Sequence, residues 1–184
     1  MDNRSKEMLA TNTKKIISTI FSRKATKCTY NDIILSGFIT EKDIMTSHKV
    51  KTFQMKMGEV WQTVIGSIDD VIDLKTGHAS KLDLMSDKYK FAMELKNAHN
   101  TCNSSSKAKT FDKLVEFKNK NKGYEVIFAY INCNTKGNAG KDEIVIHNSQ
   151  KIRILSGNKL LSYLFGNRSE DIVKIITESL KEFL

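Results

Sequence analysis

KLDLMSDKYKFAMELKN, Lys81–Asn97, decides the fold, because its side chains alternate along two short runs joined by a polar break. Residues near Lys81–Met85 and Lys88–Lys96 read as strands, and the short Ser86-Asp87 connection predicts a hairpin. Successive strand side chains point to opposite faces. Tyr89, Phe91, Met93 and Leu95 therefore share one face, while Lys90, Ala92, Glu94 and Lys96 share the other. Asp83 sits on the first strand, so pairing brings it beside Glu94.

Downstream, the polar loop NAHNTCNSSS leads into an amphipathic helix from about Lys107 to Asn121. Phe111, Leu114 and Val115 give that helix a core face, with Lys109, Lys113 and Lys120 opposite. YEVIFAYINC, Tyr124–Cys133, is almost wholly apolar, as expected of a strand covered on both sides. Strand, crossover helix and buried strand together predict a parallel βαβ unit. Further strands are expected at Glu143–His147 and Lys151–Leu155, then two helices, the last opened by Asn167 with Glu170 in a capping-box pattern.

Upstream the periodicity is helical. Leu9, Ile16, Ile17, Ile20 and Phe21 form one stripe, and Val50, Phe53, Met57, Trp61, Val64 and Ile68 form another. A short helix is expected between them, around Asn31 to Phe38. Gly66, and Gly77 beyond the acidic stretch Asp69–Asp73, mark a helix end and a loop. The fold class is α/β, a mixed central sheet flanked by helices with a helical N-terminal layer. One domain over 1–184 is expected, with that layer in 1–75, the sheet and crossover helix in 76–155, and C-terminal helices in 156–184.

Net charge is +9, from 30 Lys and Arg against 21 Asp and Glu, which suits a polyanionic partner but also a merely solvated basic surface. Cys28, Cys102 and Cys133 are odd in number and far apart, so they suggest reduced thiols rather than disulfides. His99 and Cys102 lack a second pair with ligand spacing, which argues against zinc. MDNRSKEMLATNTKK has no apolar signal-peptide run, and no stretch could span a bilayer, so the cytoplasm is the expected location and no membrane partner is expected.

The chemistry gathers on the hairpin. Two carboxylates held together, Asp83 and Glu94, repel each other unless a cation sits between them. Their hard oxygens suit Mg²⁺, with Mn²⁺ as a substitute, which keeps waters and engages phosphate. Lys96 shares the face and can orient or deprotonate a water and balance transition-state charge. Asp83, Glu94 and Lys96 are thus the candidate catalytic residues. The competing explanation is three ordinary polar residues on the wet face of a hairpin, since Glu-x-Lys is common.

Asp83 with Glu94-Leu95-Lys96, followed by a helical crossover into a buried strand, resembles the PD-(D/E)XK nuclease superfamily, with Leu82 in place of the motif's proline. A closer resemblance runs from about Met57 to Asn132. GEVWQTVIG (Gly58–Gly66), TGHASKLDL (Thr76–Leu84), MELKN (Met93–Asn97) and NTCNSSSKAKTFDKL (Asn100–Leu114) are similar to the type II restriction endonucleases that cut GGNCC. Lys81 stands where that family pattern carries glycine. The resemblance implies sequence-specific cleavage of double-stranded DNA, Mg²⁺ dependence, a homodimer and, functionally, a cognate DNA methyltransferase.

Glu59 is a candidate third metal ligand from a helix, although the wheel turns it from the core stripe, which favours a solvated glutamate. Candidate DNA contacts are Gln62, His78, Asn97, Asn100, Thr101, Asn103, Ser104, Ser105, Ser106, Lys107, Lys109 and Lys113. Ser106 is also the expected cap of the helix that follows. Competing functions are a structure-selective nuclease of resolvase or repair type and a non-catalytic DNA-binding module.

Overall fold

The computed structural model describes residues 3–23, 40–75 and 78–181. The short helix expected around Asn31 to Phe38, Gly77 and Cys28 lie outside the described residues.

Helix α1 (Asn3–Phe21) and helix α2 (Glu41–Ile65) form the expected N-terminal layer. A capping box that the sequence reading missed opens α2. The Thr40 hydroxyl oxygen accepts the Asp43 N–H, and the Asp43 carboxylate accepts the Thr40 N–H, both at 3.2 Å. Gly66 ends α2 as expected, and the close approach shows why. A Cβ there would lie 2.6 Å from the Asp73 Cβ, so only glycine lets the chain fold back against the helix.

Six strands then make one mixed sheet in the order β1-β2-β3-β4-β6-β5. They are β1 (Ile72–Asp73), β2 (Leu84–Ser86), β3 (Phe91–Ala98), β4 (Glu125–Asn132), β5 (Asp142–His147) and β6 (Gln150–Ser156). Helix α3 (Ser104–Lys120) crosses from β3 to β4, which run parallel, as the βαβ reading expected. β6 is parallel to β4 and antiparallel to β5. Helices α4 (Gly157–Phe165) and α5 (Ser169–Leu180) complete the chain. Among the described residues no helix is long and apolar enough to cross a membrane.

Four details differ from the sequence reading. β1 was not expected; it arises inside the acidic stretch by pairing Ile72 with Met85 and Asp73 with Leu84. The hairpin turns through Asp87–Lys90 rather than at Ser86-Asp87, with Lys90 left-handed at φ 50°, so Tyr89 stands exposed in the turn. The cap of α3 is Asn103, whose side chain accepts the Ser106 N–H, and not Ser106. Finally, a 3₁₀ turn at Gly166–Arg168 precedes α5, so Asn167 caps nothing there.

Two apolar cores lie on the two sides of the sheet. Phe91, Met93, Leu95, Ile127, Ala129 and Ile131 pack under α1, α2, α4 and α5. Ala92, Val126, Phe128 and Ile152 pack under α3, against Leu114, Val115 and Phe117. Leu82 belongs to the α3 core and Leu84 to the other, although a regular strand would put them on one face. Alternation therefore breaks at Asp83, which is why β2 begins at Leu84 and not at Lys81.

Candidate active site

The break fixes Asp83. Its N–H donates to the Met93 carbonyl at 3.1 Å, and its own carbonyl accepts the Leu74 N–H at 3.0 Å. Its Oδ2 accepts the Leu95 N–H at 2.8 Å, satisfying a strand amide that β2 leaves without a ladder partner. One residue beyond the last ladder pair, Leu84 with Met93, the Asp83 carboxylate meets Glu94.

Glu94 is only 4% exposed, which excludes the wet-face explanation for it. The register sets Phe128 beside it and Tyr130 beside Lys96, with α3 above. Glu94 Oε1 accepts a hydrogen bond from Lys96 Nζ at 2.6 Å. Its Oε2 is buried with no hydrogen-bond partner. A buried carboxylate oxygen without a protein donor is costly, so it is suited to meeting a cation.

The electrostatics agree. Burial, and then the charge of Glu94, push the Asp83 carboxyl above its ordinary pKa, against the Leu95 N–H, Lys96 and Lys113. Burial works against the Lys96 ammonium, yet the hydrogen bond and charge of Glu94, with Asp83, hold its pKa above that of free lysine. Lys96 is therefore a cation at neutral pH.

These donors fit a hard divalent cation. Among the described residues no group of three or more His, Cys, Asp or Glu forms a ready-made metal cage. Asp83 and Glu94 would thus supply two oxygens and leave the remaining positions to water and phosphate, which is how Mg²⁺ is ordinarily bound. Glu59 does not join them. It pairs with Arg23 at 2.6 Å and lines a separate cavity with Lys15 and Thr63 between α1 and α2.

The other sequence candidates separate into two groups. Gln62 donates to Asp73 Oδ1 at 2.9 Å. Asn97 donates to the Gln54 carbonyl and accepts from Asn132, tying β3 to α2 and β4 on the side away from Glu94. Asn103 is spent on its cap, and Thr101 donates to the Ala98 carbonyl at 2.6 Å. By contrast Asn100, Ser104, Ser105 and Ser106 are exposed at the start of α3. His78 is exposed and shares a 2.8 Å hydrogen bond with Ser80. The Lys107 ammonium lies over the rings of Phe111 and Phe128, 5.4 and 5.8 Å from their centroids.

Lys109 and Lys113 line a groove of about 550 Å³ between α3 and the segment ahead of β2. Lys113 is close enough for its charge to act on Asp83, so the groove adjoins the carboxylate pair. The sequence reading missed three other groove residues, Ser80, Lys81 and Lys120. Lys81 stood out only as a departure from glycine, and the helix wheel placed Lys120 on the right face without showing what it would meet.

A mixed α/β sheet thus brings a buried glutamate together with a half-buried aspartate and lysine, beside a lysine-lined groove. The family model described as Eco47II restriction endonuclease matches residues 1–181, and the chain belongs to that family. It is accordingly a DNA-hydrolysing enzyme of the type II restriction class, with double-stranded DNA as substrate. No curated protein matches the chain.

Proposed function

We propose that this protein is a Mg²⁺-dependent, site-specific endonuclease of PD-(D/E)XK type, acting through Asp83, Glu94 and Lys96. The observation that carries this reading is the buried, partnerless Glu94 Oε2 beside the raised-pKa carboxyl of Asp83. A divalent cation bound there would neutralise both carboxylates, polarise the scissile phosphate and lower the pKa of an attacking water. Asp83 holds its carboxylate in place through the Leu95 N–H. Lys96, protonated, donates to the water or to a phosphoryl oxygen and offsets the charge that develops on the phosphate. With its pKa raised, Lys96 suits charge balance and orientation better than proton abstraction.

Lys109 and Lys113 in the groove, with the exposed Lys107, Asn100, Ser104, Ser105, Ser106 and His78, would contact the DNA backbone. Gln62, Asn97, Thr101 and Asn103 are instead engaged in hydrogen bonds within the chain. The recognised site is GGNCC or a related palindrome, as the sequence resemblance suggests. One catalytic centre per chain and two strands to cut favour a homodimer on that palindrome, and a cognate methyltransferase would protect the host. Digestion of a plasmid with Mg²⁺, an EDTA control and sequencing of the ends tests the proposal. Discrete ends at GGNCC support it. Dependence on branches or free ends would favour a structure-selective nuclease, and binding without any cleavage would leave only a DNA-binding module.

A further inference from the structure

Lys81 occupies the left-handed region, at φ 55°, a conformation that glycine adopts without strain and that a lysine adopts rarely. Lys75 and Lys90 share it, but each has a partner: Lys75 pairs with Asp73, and Lys90 lies over the Tyr124 ring at 5.0 Å. Lys81 has no ion-pair, hydrogen-bond or ring partner of its side chain among the described residues. Strain kept at a residue whose side chain makes no internal hydrogen bond, ion pair or ring contact points to a ligand outside the chain.

The groove supplies the context. Its wall carries Lys81, Lys109, Lys113 and Lys120, and its two carboxylates are already engaged. Glu116 accepts from Lys120 at 2.6 Å, and Asp112 accepts from His147 at 2.7 Å. Lys81 reaches far enough across to act electrostatically on Glu116, while Lys113 acts on Asp83. Lys81, Lys109 and Lys113 thus make no ion pair among the described residues and line a groove that reaches Asp83 through the charge of Lys113. We propose that Lys81 binds a phosphate of the DNA backbone flanking the scissile one and so positions the strand over Asp83 and Glu94.

This inference rests on the DNA-cleaving reading above, and the test separates the two. Affinity for a short mixed-sequence duplex is measured in EDTA, where no cleavage occurs, across a series of salt concentrations for wild type, Lys81→Gly and Lys81→Arg. Melting temperature is recorded alongside. Each lost phosphate contact lowers the slope of log affinity against log salt by about 0.9. Lys81→Gly should melt higher than wild type, because the strain is gone, yet bind more weakly and with a slope shallower by about 0.9. Lys81→Arg should keep the wild-type slope. A Lys81→Gly slope equal to wild type would overturn the role of Lys81, as would an arginine variant as shallow as the glycine one. A wild-type slope near zero would overturn the nuclease reading, and this inference with it.

Discussion

The two sides of the sheet are built to different ends. One is closed by four helices over an apolar core that runs from Ile17 to Leu180. The other is closed by α3 alone, and it holds Glu94, the one buried charged side chain among the described residues. Met93 and Glu94 are neighbours in β3 and point to opposite sides. The thick side can supply the stability that the thin side spends on confining a carboxylate, a second carboxylate and an ammonium in one place. The proposed chemistry would sit on the side closed by one helix rather than four.

Substitutions on the two sides should therefore lose different things. Asp83→Ala, Glu94→Ala and Lys96→Ala should each lower cleavage by at least about 10²–10⁴-fold while the protein stays folded. Plasmid cleavage in Mg²⁺ measures the first effect and circular dichroism the second. Near wild-type cutting by Asp83→Ala or Glu94→Ala would refute the site. Met93→Ala, one residue away, should do the reverse. Met93 is fully buried, so truncation should cost about 2–5 kcal/mol of stability by urea unfolding. The folded fraction should still cleave at close to the wild-type rate.

A smaller effect tests the roof of the thin side. Asn103→Ala removes the side-chain acceptor of the Ser106 N–H at the start of α3, at a cost of about 1 kcal/mol. Asn103→Ser should recover most of it. An unchanged midpoint for Asn103→Ala would mean that α3 starts elsewhere.

How far the sequence reached follows the same division. Helical stripes and the buried strand at Tyr124–Cys133 were legible because burial on the thick side imposes long, regular periods. Asp83 and Glu94 were legible as members of one hairpin, whereas the register that sets them opposite each other depends on the four-residue turn Asp87–Lys90, which the sequence reading placed at Ser86-Asp87. What lay beyond reach depended on single backbone torsions and distant partners. The left-handed Lys81 lies ahead of β2 and the left-handed Lys90 closes the turn after it, and no hydropathy pattern records a positive φ. The burial of Glu94 needed α3 laid across it, because a glutamate facing alternate positions looks solvated until something covers it. The pairing of Glu59 with Arg23 joins residues 36 apart. A helical wheel could place Glu59 off the core stripe but could not supply its partner.

The smallest expected effect concerns the charge that the thin side confines. Burial and Glu94 raise the pKa of Asp83, so the folded protein holds that proton more tightly than the unfolded chain does. The stabilisation from proton uptake is fully present below the unfolded value, near 3.8, and is lost as pH rises through the folded one. At neutral pH, without a cation, ionised Asp83 therefore weakens the fold. Asp83→Asn removes the charge while its side-chain oxygen can still accept the Leu95 N–H. In EDTA at pH 7 this variant should melt slightly above wild type, and the margin should shrink as the pH falls towards 3.8. Adding Mg²⁺ should reverse the order, because a ligand bound only to the folded wild type raises its stability and the variant has lost an anionic ligand. A variant that melts below wild type in EDTA, or a ranking that Mg²⁺ leaves unchanged, would mean that the two carboxylates do not form a strained pair awaiting a cation.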